Sequence, residues 1–255
     1  MFTNAMKIAG LGMLAISMNP ALAETANDQE LPDGRALIER NIEAIGGREA
    51  IMAQSEGVIE GEFAMPAAGI TGPLVVASRS PSERIIMIEL PGIGAIKTGY
   101  SPDLAWSIDP FMGPRLIEGE EFAALAESSE PAAVMRDPEF VVSAETVGIS
   151  EFLDQDCYRV RLEWRSGRQT HDCYAVETGL LIATESVETS PMGEMESLTL
   201  MSEHKEMHGF LVATVTRVQT MGQEQILTLK EFNLETPDPE LFELPPAIQT
   251  LVEDR

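Results

Sequence analysis

The sequence predicts a mainly β (α+β) chain: a strongly curved antiparallel sheet forming an incomplete β-barrel, wrapped around or closed by helices. Three observations carry this. Short runs rich in Val and Ile, separated by Pro and Gly, recur from Ser55 to Phe232 at the rhythm of an antiparallel meander. One run sets Tyr158, Val160, Leu162 and Trp164 on one face and Arg159, Arg161, Glu163 and Arg165 on the other, which requires one buried and one solvated side. Helical spacing is confined to a few segments, and a sheet of about a dozen strands is too long to stay flat. It should curl, with the early helix as its filling.

The first segment decides the compartment. Lys7 supplies a positive start, Ile8 to Met18 is an apolar run too short to span a bilayer, and Ala21-Leu22-Ala23 is a small-x-small cleavage site. This reads as a secretory signal peptide, residues 1–23, cleaved after Ala23. Residue 24 is a glutamate, so the cut leaves no cysteine for an acyl anchor. The remainder, 24–255, is expected to be a single domain in the periplasm or outside the cell. It has no later apolar run of about 18 residues, hence no transmembrane anchor.

Glu24 to Pro32 is polar and reads as an arm. Leu37, Ile38, Ile42 and Ile45 form one helical stripe that Gly46-Gly47 ends, and Arg48 to Gln54 suits a second short helix. Strands are expected over Ser55 to Met65, Leu74 to Arg79, Arg84 to Leu90, Ala95 to Tyr100 and Leu104 to Asp109, the last stopped by Pro110 to Pro114. Phe122, Leu125 and Ala126 place a helix between Gly119 and Ser129; the prolines of Glu130 to Pro138 suggest a loop. Strands then resume to Phe232, and the prolines of Pro237 to Pro246 are expected to keep the tail extended. No repeat of fixed period is visible.

The chain carries 42 acidic and 17 basic residues, a formal charge of −25 that removal of Lys7 makes more negative. This argues against nucleic acid and against anionic lipid surfaces. A basic partner or a neutral, apolar ligand fits better, and solubility alone is the plainest reading. The 44% of hydrophobic residues suffices for a core.

Chemical motifs are missing or misleading. His204-Lys205-Glu206-Met207-His208 has its glutamate in the wrong position for a metalloprotease helix, and on a strand its histidines would lie about 13 Å apart. Met192, Met195, Met201 and Met207 suit irregular apolar space better than copper ligation. His171 has no evident nucleophile beside it, and no Gly-x-Ser-x-Gly elbow, Walker loop, dinucleotide fingerprint or Cys-x-x-Cys pair occurs. No catalytic residue, cofactor or metal site is expected, and the chain does not read as an enzyme. Cys157 and Cys173 are an even pair in an oxidising compartment, which favours a structural disulfide. A two-residue turn at Ser166-Gly167 would set them on opposite faces, so the bond needs a bulge or a wider loop; both outcomes stand open.

Taken in order, Ala36 to Ile51, Gly99 to Gly113, Cys157 to Leu180 and Asn233 to Pro245 resemble the LolA/LolB-like superfamily of periplasmic lipoprotein carriers and outer-membrane lipoprotein-sorting proteins. The resemblance covers nearly all of the mature chain and implies a half-barrel whose apolar cavity takes acyl chains. By alternation, Ile59, Phe63, Val76, Met87, Trp106, Ile108, Val160, Leu162, Trp164, Leu198 and Leu200 are expected on its concave, ligand-binding face; packing against the helix is the competing role for each. The expected function is a soluble periplasmic carrier that shelters the acyl chains of a lipid or lipoprotein, as in outer-membrane lipoprotein sorting. The alternative is an envelope interaction or sensor module that uses the same half-barrel to bind a protein partner.

Overall fold

The computed structural model describes residues 30–52, 56–79, 82–190 and 193–254, and Leu31–Arg255 cluster as one compact unit. The expected signal segment and Met192 lie outside the described residues. Helix α1 (Gly34–Ala44) starts where Asp33 accepts a hydrogen bond from the Ala36 amide at 3.0 Å, and ends at Gly46 and Gly47, both with positive φ. Its stripe of Leu37, Ile38 and Ile42 is buried, each side chain contributing about 1.5–3 kcal/mol. Helix α2 (Arg48–Met52) is short and has no buried residue.

Six strands then form a meander: β1 (Gly57–Met65), β2 (Ile70–Arg79), β3 (Glu83–Leu90), β4 (Gly94–Ser101), β5 (Leu104–Asp109) and β6 (Gly113–Ile117). The Pro110 to Pro114 stretch stops β5 at Asp109, as expected. It is the turn into β6, shaped by Asp109, whose Oδ1 accepts from the amides of Phe111 and Met112 at 2.7 and 3.1 Å. Helices α3 (Gly119–Ser129) and α4 (Pro131–Val134) follow. Pro131 therefore begins a helical turn where a loop was expected, because a first-turn proline gives up an amide that had no partner anyway.

The second meander comprises β7 (Val141–Phe152), β8 (Gln155–Trp164), β9 (Gln169–Ala175), β10 (Leu181–Ser190), β11 (Gly193–Met207), β12 (Phe210–Thr220) and β13 (Gln223–Asn233). β13 pairs with β1, joining both meanders into one antiparallel sheet in the order β6-β5-β4-β3-β2-β1-β13-β12-β11-β10-β9-β8-β7. β6 and β7 do not pair, so the barrel is incomplete. The tail is not wholly extended either: Pro239–Phe242 is a 3₁₀ turn and α5 (Pro246–Glu253) starts on a proline. Among the described residues no helix is long and apolar enough to cross a membrane.

Curvature follows from where α3 packs. It touches both β4 and β10, which lie seven strand steps apart, about 34 Å if the sheet were flat. A helix of 11 residues is only about 16 Å long. The sheet therefore bends toward the face bearing α1 and α3, the inner side.

The β8–β9 hairpin has a wider loop than two residues. The Trp164 amide donates to the Arg168 carbonyl at 2.9 Å around Arg165–Gly167, with Gly167 at φ 88°. Arg159 then opposes Cys173 and Cys157 opposes Ala175, so both cysteines share one face as diagonal neighbours. They form a disulfide with Cα atoms 5.4 Å apart.

Candidate functional site

Pairing register sorts the expected site residues onto two faces. Ile59, Phe63, Val76, Val160, Leu162 and Trp164 lie on the inner side. Met87, Trp106 and Ile108 lie on the outer side, where the tail covers them through Phe242, Leu244, Ile248 and Leu251. The indole of Trp106 rests against Gly99, where an added Cβ would come within 2.3 Å of the ring. Leu198 and Leu200 are also on the outer side, packed around the disulfide. Alternation groups residues within a strand, but it does not say which face is inner when both are apolar, as in Ile85-Ile86-Met87-Ile88.

The inner side divides into two parts. Over β8 and β9, α1 buries Val160, Leu162, Trp164 and Tyr174 with Leu37, Ile38 and Ile42. A polar group sits among them. Asp172, fully buried, accepts from Arg136 Nε at 2.8 Å, from the Tyr174 hydroxyl at 3.1 Å and from the Thr184 hydroxyl at 2.8 Å. Burial, reinforced by Asp172, pushes the Tyr174 phenol well above its ordinary value. The network is satisfied and solidly packed, which makes it structural.

Over β1 to β4 and β13 the inner side is different. Phe63, Leu74 and Leu90 pack with Met65, Ile70, Val76, Ile86, Ile88, Ile96 and Leu227, and every member of this cluster stands on a strand. Most are only half-buried. A cavity of about 160 Å³ lies here between Ile59, Val76, Phe210, Leu229 and Phe232, with Ser78 and Arg84 also in its lining. Farther along, under α3, a second cavity of about 350 Å³ is lined by Thr98, Ser107, Arg115, Glu121, Ser128 and Arg168. An apolar wall with a few polar groups at one end is the usual form of a small-molecule site.

Charged contacts hold α3 and α4 above this face. Arg84 donates from Nη1 to the Ser128 carbonyl, and its burial lowers the guanidinium pKa. Glu130 accepts from Ser82 and from the Tyr100 hydroxyl, and the Tyr100 phenol is pushed up to about 12 by burial and then by that carboxylate. On the far side Glu127, nearly buried, accepts from Arg168 at 2.8 Å and from Ser166. Ile86, Thr98, Ser107 and Arg115, which alternation within single strands did not bring forward, stand on this same face. The signal that could reveal them is register between strands, which no single strand carries.

A larger hollow than these two lies elsewhere. On the outer side a groove of about 940 Å³ runs past Arg159, His171, Glu185, Val187 and Leu198. Its floor carries the Arg159–Glu185 ion pair at 2.7 Å, and burial together with Arg159 lowers the His171 pKa. Val187, Met195, Leu198 and Met221 line the groove beside these charges. His204 is half-buried within β11 and His208 is an exposed turn residue bonded to the Phe232 carbonyl at 2.7 Å. Among the described residues no cluster of metal-ligating side chains occurs.

No protein-family model matches the sequence, and no curated protein does. Solved structures do match. A LolA superfamily protein from Nitrosomonas europaea is 14% identical, with a TM-score of 0.54 over 84% of this chain and 98% of that one. A DUF1329 family protein from Desulfovibrio piger is 11% identical, with a TM-score of 0.55 over 83% and 97%. A domain from Vibrio parahaemolyticus named for outer-membrane lipoprotein sorting is 10% identical, with a TM-score of 0.50 over 81% and 97%. At these identities the likeness is one of fold, and the fold is LolA-like.

Proposed function

We propose that the chain is a periplasmic carrier, exported by cleavage after Ala23, that shelters the acyl chains of a lipid or lipoprotein on the inner side of β1 to β4 and β13. The observation that carries this reading is the aliphatic cluster around Phe63 and Leu74, whose hydrophobic members among the described residues all stand on strands. A ligand chain lying there gains about 0.8 kcal/mol for each buried methylene. No catalytic constellation enters the reading: the protein binds and releases. The wall consists of Ile59, Phe63 and Val76 with Ile86, Ile88 and Leu229. Val160, Leu162 and Trp164 support it as core.

The test is native mass spectrometry with lipid extraction on mature protein recovered from its own envelope. A bound acyl species is the expected result. A clean apo mass, with no shift on adding phospholipid or lipopeptide, would overturn the carrier reading. The second reading would then take its place: a basic segment of an envelope protein in the outer groove. Glu185, Glu194 and Glu196 there supply negative charge beside Val187 and Leu198.

A further inference from the structure

Register lines up one residue from each strand between β13 and β6 in a single row on the inner side: Phe232, Ile59, Val76, Ile86, Thr98, Ser107 and Arg115, each opposite the next. The row changes chemistry once, between Ile86 and Thr98. Ile59 and Val76 line the smaller cavity with Phe210, Leu229 and Phe232, and with Ser78 and Arg84 at its edge; Thr98, Ser107 and Arg115 line the one under α3, which Ile117 and Leu125 share. Five strand spacings separate Ile59 from Arg115, a path of about 24 Å. That span is on the scale of one amphiphile.

The polar end carries donors that the protein does not use. Arg115 gives Nη1 and Nη2 to Glu121 at 2.8 and 2.5 Å, but its buried Nε has no partner. Among the described residues the side-chain hydroxyls of Thr98 and Ser107, which line the same cavity, form no hydrogen bond. A buried donor without an acceptor is costly, and Arg115 lines the cavity together with Thr98 and Ser107, which points to a ligand that supplies acceptor oxygens. Arginine with hydroxyls suits phosphate oxygens. A bare anion is disfavoured by Glu121, which faces the same cavity and has lone pairs left, and by the chain's charge of −25. An ammonium attached to the phosphate answers both.

We infer that the Thr98–Ser107–Arg115 end of the row is a headgroup subsite for a zwitterionic phosphodiester, the head of an aminophospholipid whose chains lie against Ile86, Val76 and Ile59. The inference rests on the carrier reading above. It adds discrimination: the apolar end accepts chains of many kinds, and the polar end selects the head.

The experiment compares the affinities of mature protein for phosphatidylethanolamine, phosphatidylglycerol and diacylglycerol with identical chains, by displacement of a fluorescent fatty acid. Phosphatidylethanolamine should bind about tenfold tighter than diacylglycerol, the scale of one or two charge-assisted hydrogen bonds. Arg115→Gln should collapse that ratio, and Thr98→Val with Ser107→Ala, which spares the Arg115–Glu121 pair, should reduce it in a protein whose thermal transition is retained. Equal affinity for phosphatidylethanolamine and diacylglycerol, or for phosphatidylglycerol and phosphatidylethanolamine, would overturn the headgroup subsite and leave the carrier standing. So would displacement of phosphatidylethanolamine by inorganic phosphate, which would mark a free-anion site. Binding of none of the three lipids would remove the carrier reading as well.

Discussion

On the inner side of the sheet, β8 and β9 present Val160, Leu162 and Tyr174 at 0 to 1% exposure beneath α1, whereas β1, β2 and β3 present Ile59, Val76 and Ile86 half-buried with strand neighbours around them. Both regions read as alternating aliphatic strands. They differ in what covers them. Beneath α1 the contacts are complete and a change of side chain costs stability. Over β1 to β3 the aliphatic face is only partly covered, and what it lacks a ligand can supply.

The contrast can be broken by substitution. In the filled half, Leu162→Ala should lower unfolding free energy by about 2–5 kcal/mol, read by urea denaturation, because α1 cannot collapse onto the void. Asp172→Ala should cost about 3–5 kcal/mol, since it leaves Arg136 beside Trp164 without its counter-charge. Replacing both cysteines by serine should cost about 3 kcal/mol for a bridge across 16 residues, visible as a lower thermal midpoint. In the open half, Ile86→Glu should cost only about 1 kcal/mol, because a half-buried carboxylate can reach water. The same change should abolish uptake of a fluorescent fatty acid. Retained uptake in folded Ile86→Glu would take Ile86 out of the wall, and a large loss of stability would make both halves ordinary core.

The smallest effect concerns the seat of α4. Tyr100 ionises at about 12 in the fold, above its ordinary 10.0. Its contribution to stability is therefore fully present below pH 10.0 and is lost as pH rises toward 12. Denaturation across that interval should lose less in Tyr100→Phe than in the unaltered chain.

Much of the fold is legible in residue spacing. The stripe Leu37, Ile38, Ile42 with Gly46-Gly47, the strand runs, and the helix at Phe122 and Leu125 all state their local structure, because period and punctuation act within a few residues. Prolines mislead at 131 and 246, where they open helices. The site is less legible. Trp106 and Ile108 are as apolar as Val76, and only the tail packed over them marks their face as the outer one. Thr98, Ser107 and Arg115 look like ordinary surface residues until register sets them side by side.

By itself the sequence determined a curved antiparallel sheet with an early amphipathic helix, since turn residues, alternation and helical stripes are local and additive along the chain. Tertiary structure alone decided which apolar face α1 fills, that the tail claims the opposite face of β3 and β5, and that a row of residues from β13 to β6 passes from aliphatic to cationic. The physical reason is that a strand offers two faces of similar chemistry. The free energy that chooses between them comes from partners distant in the chain, such as Ile248 against Trp106, or Asn233 opposite Val58.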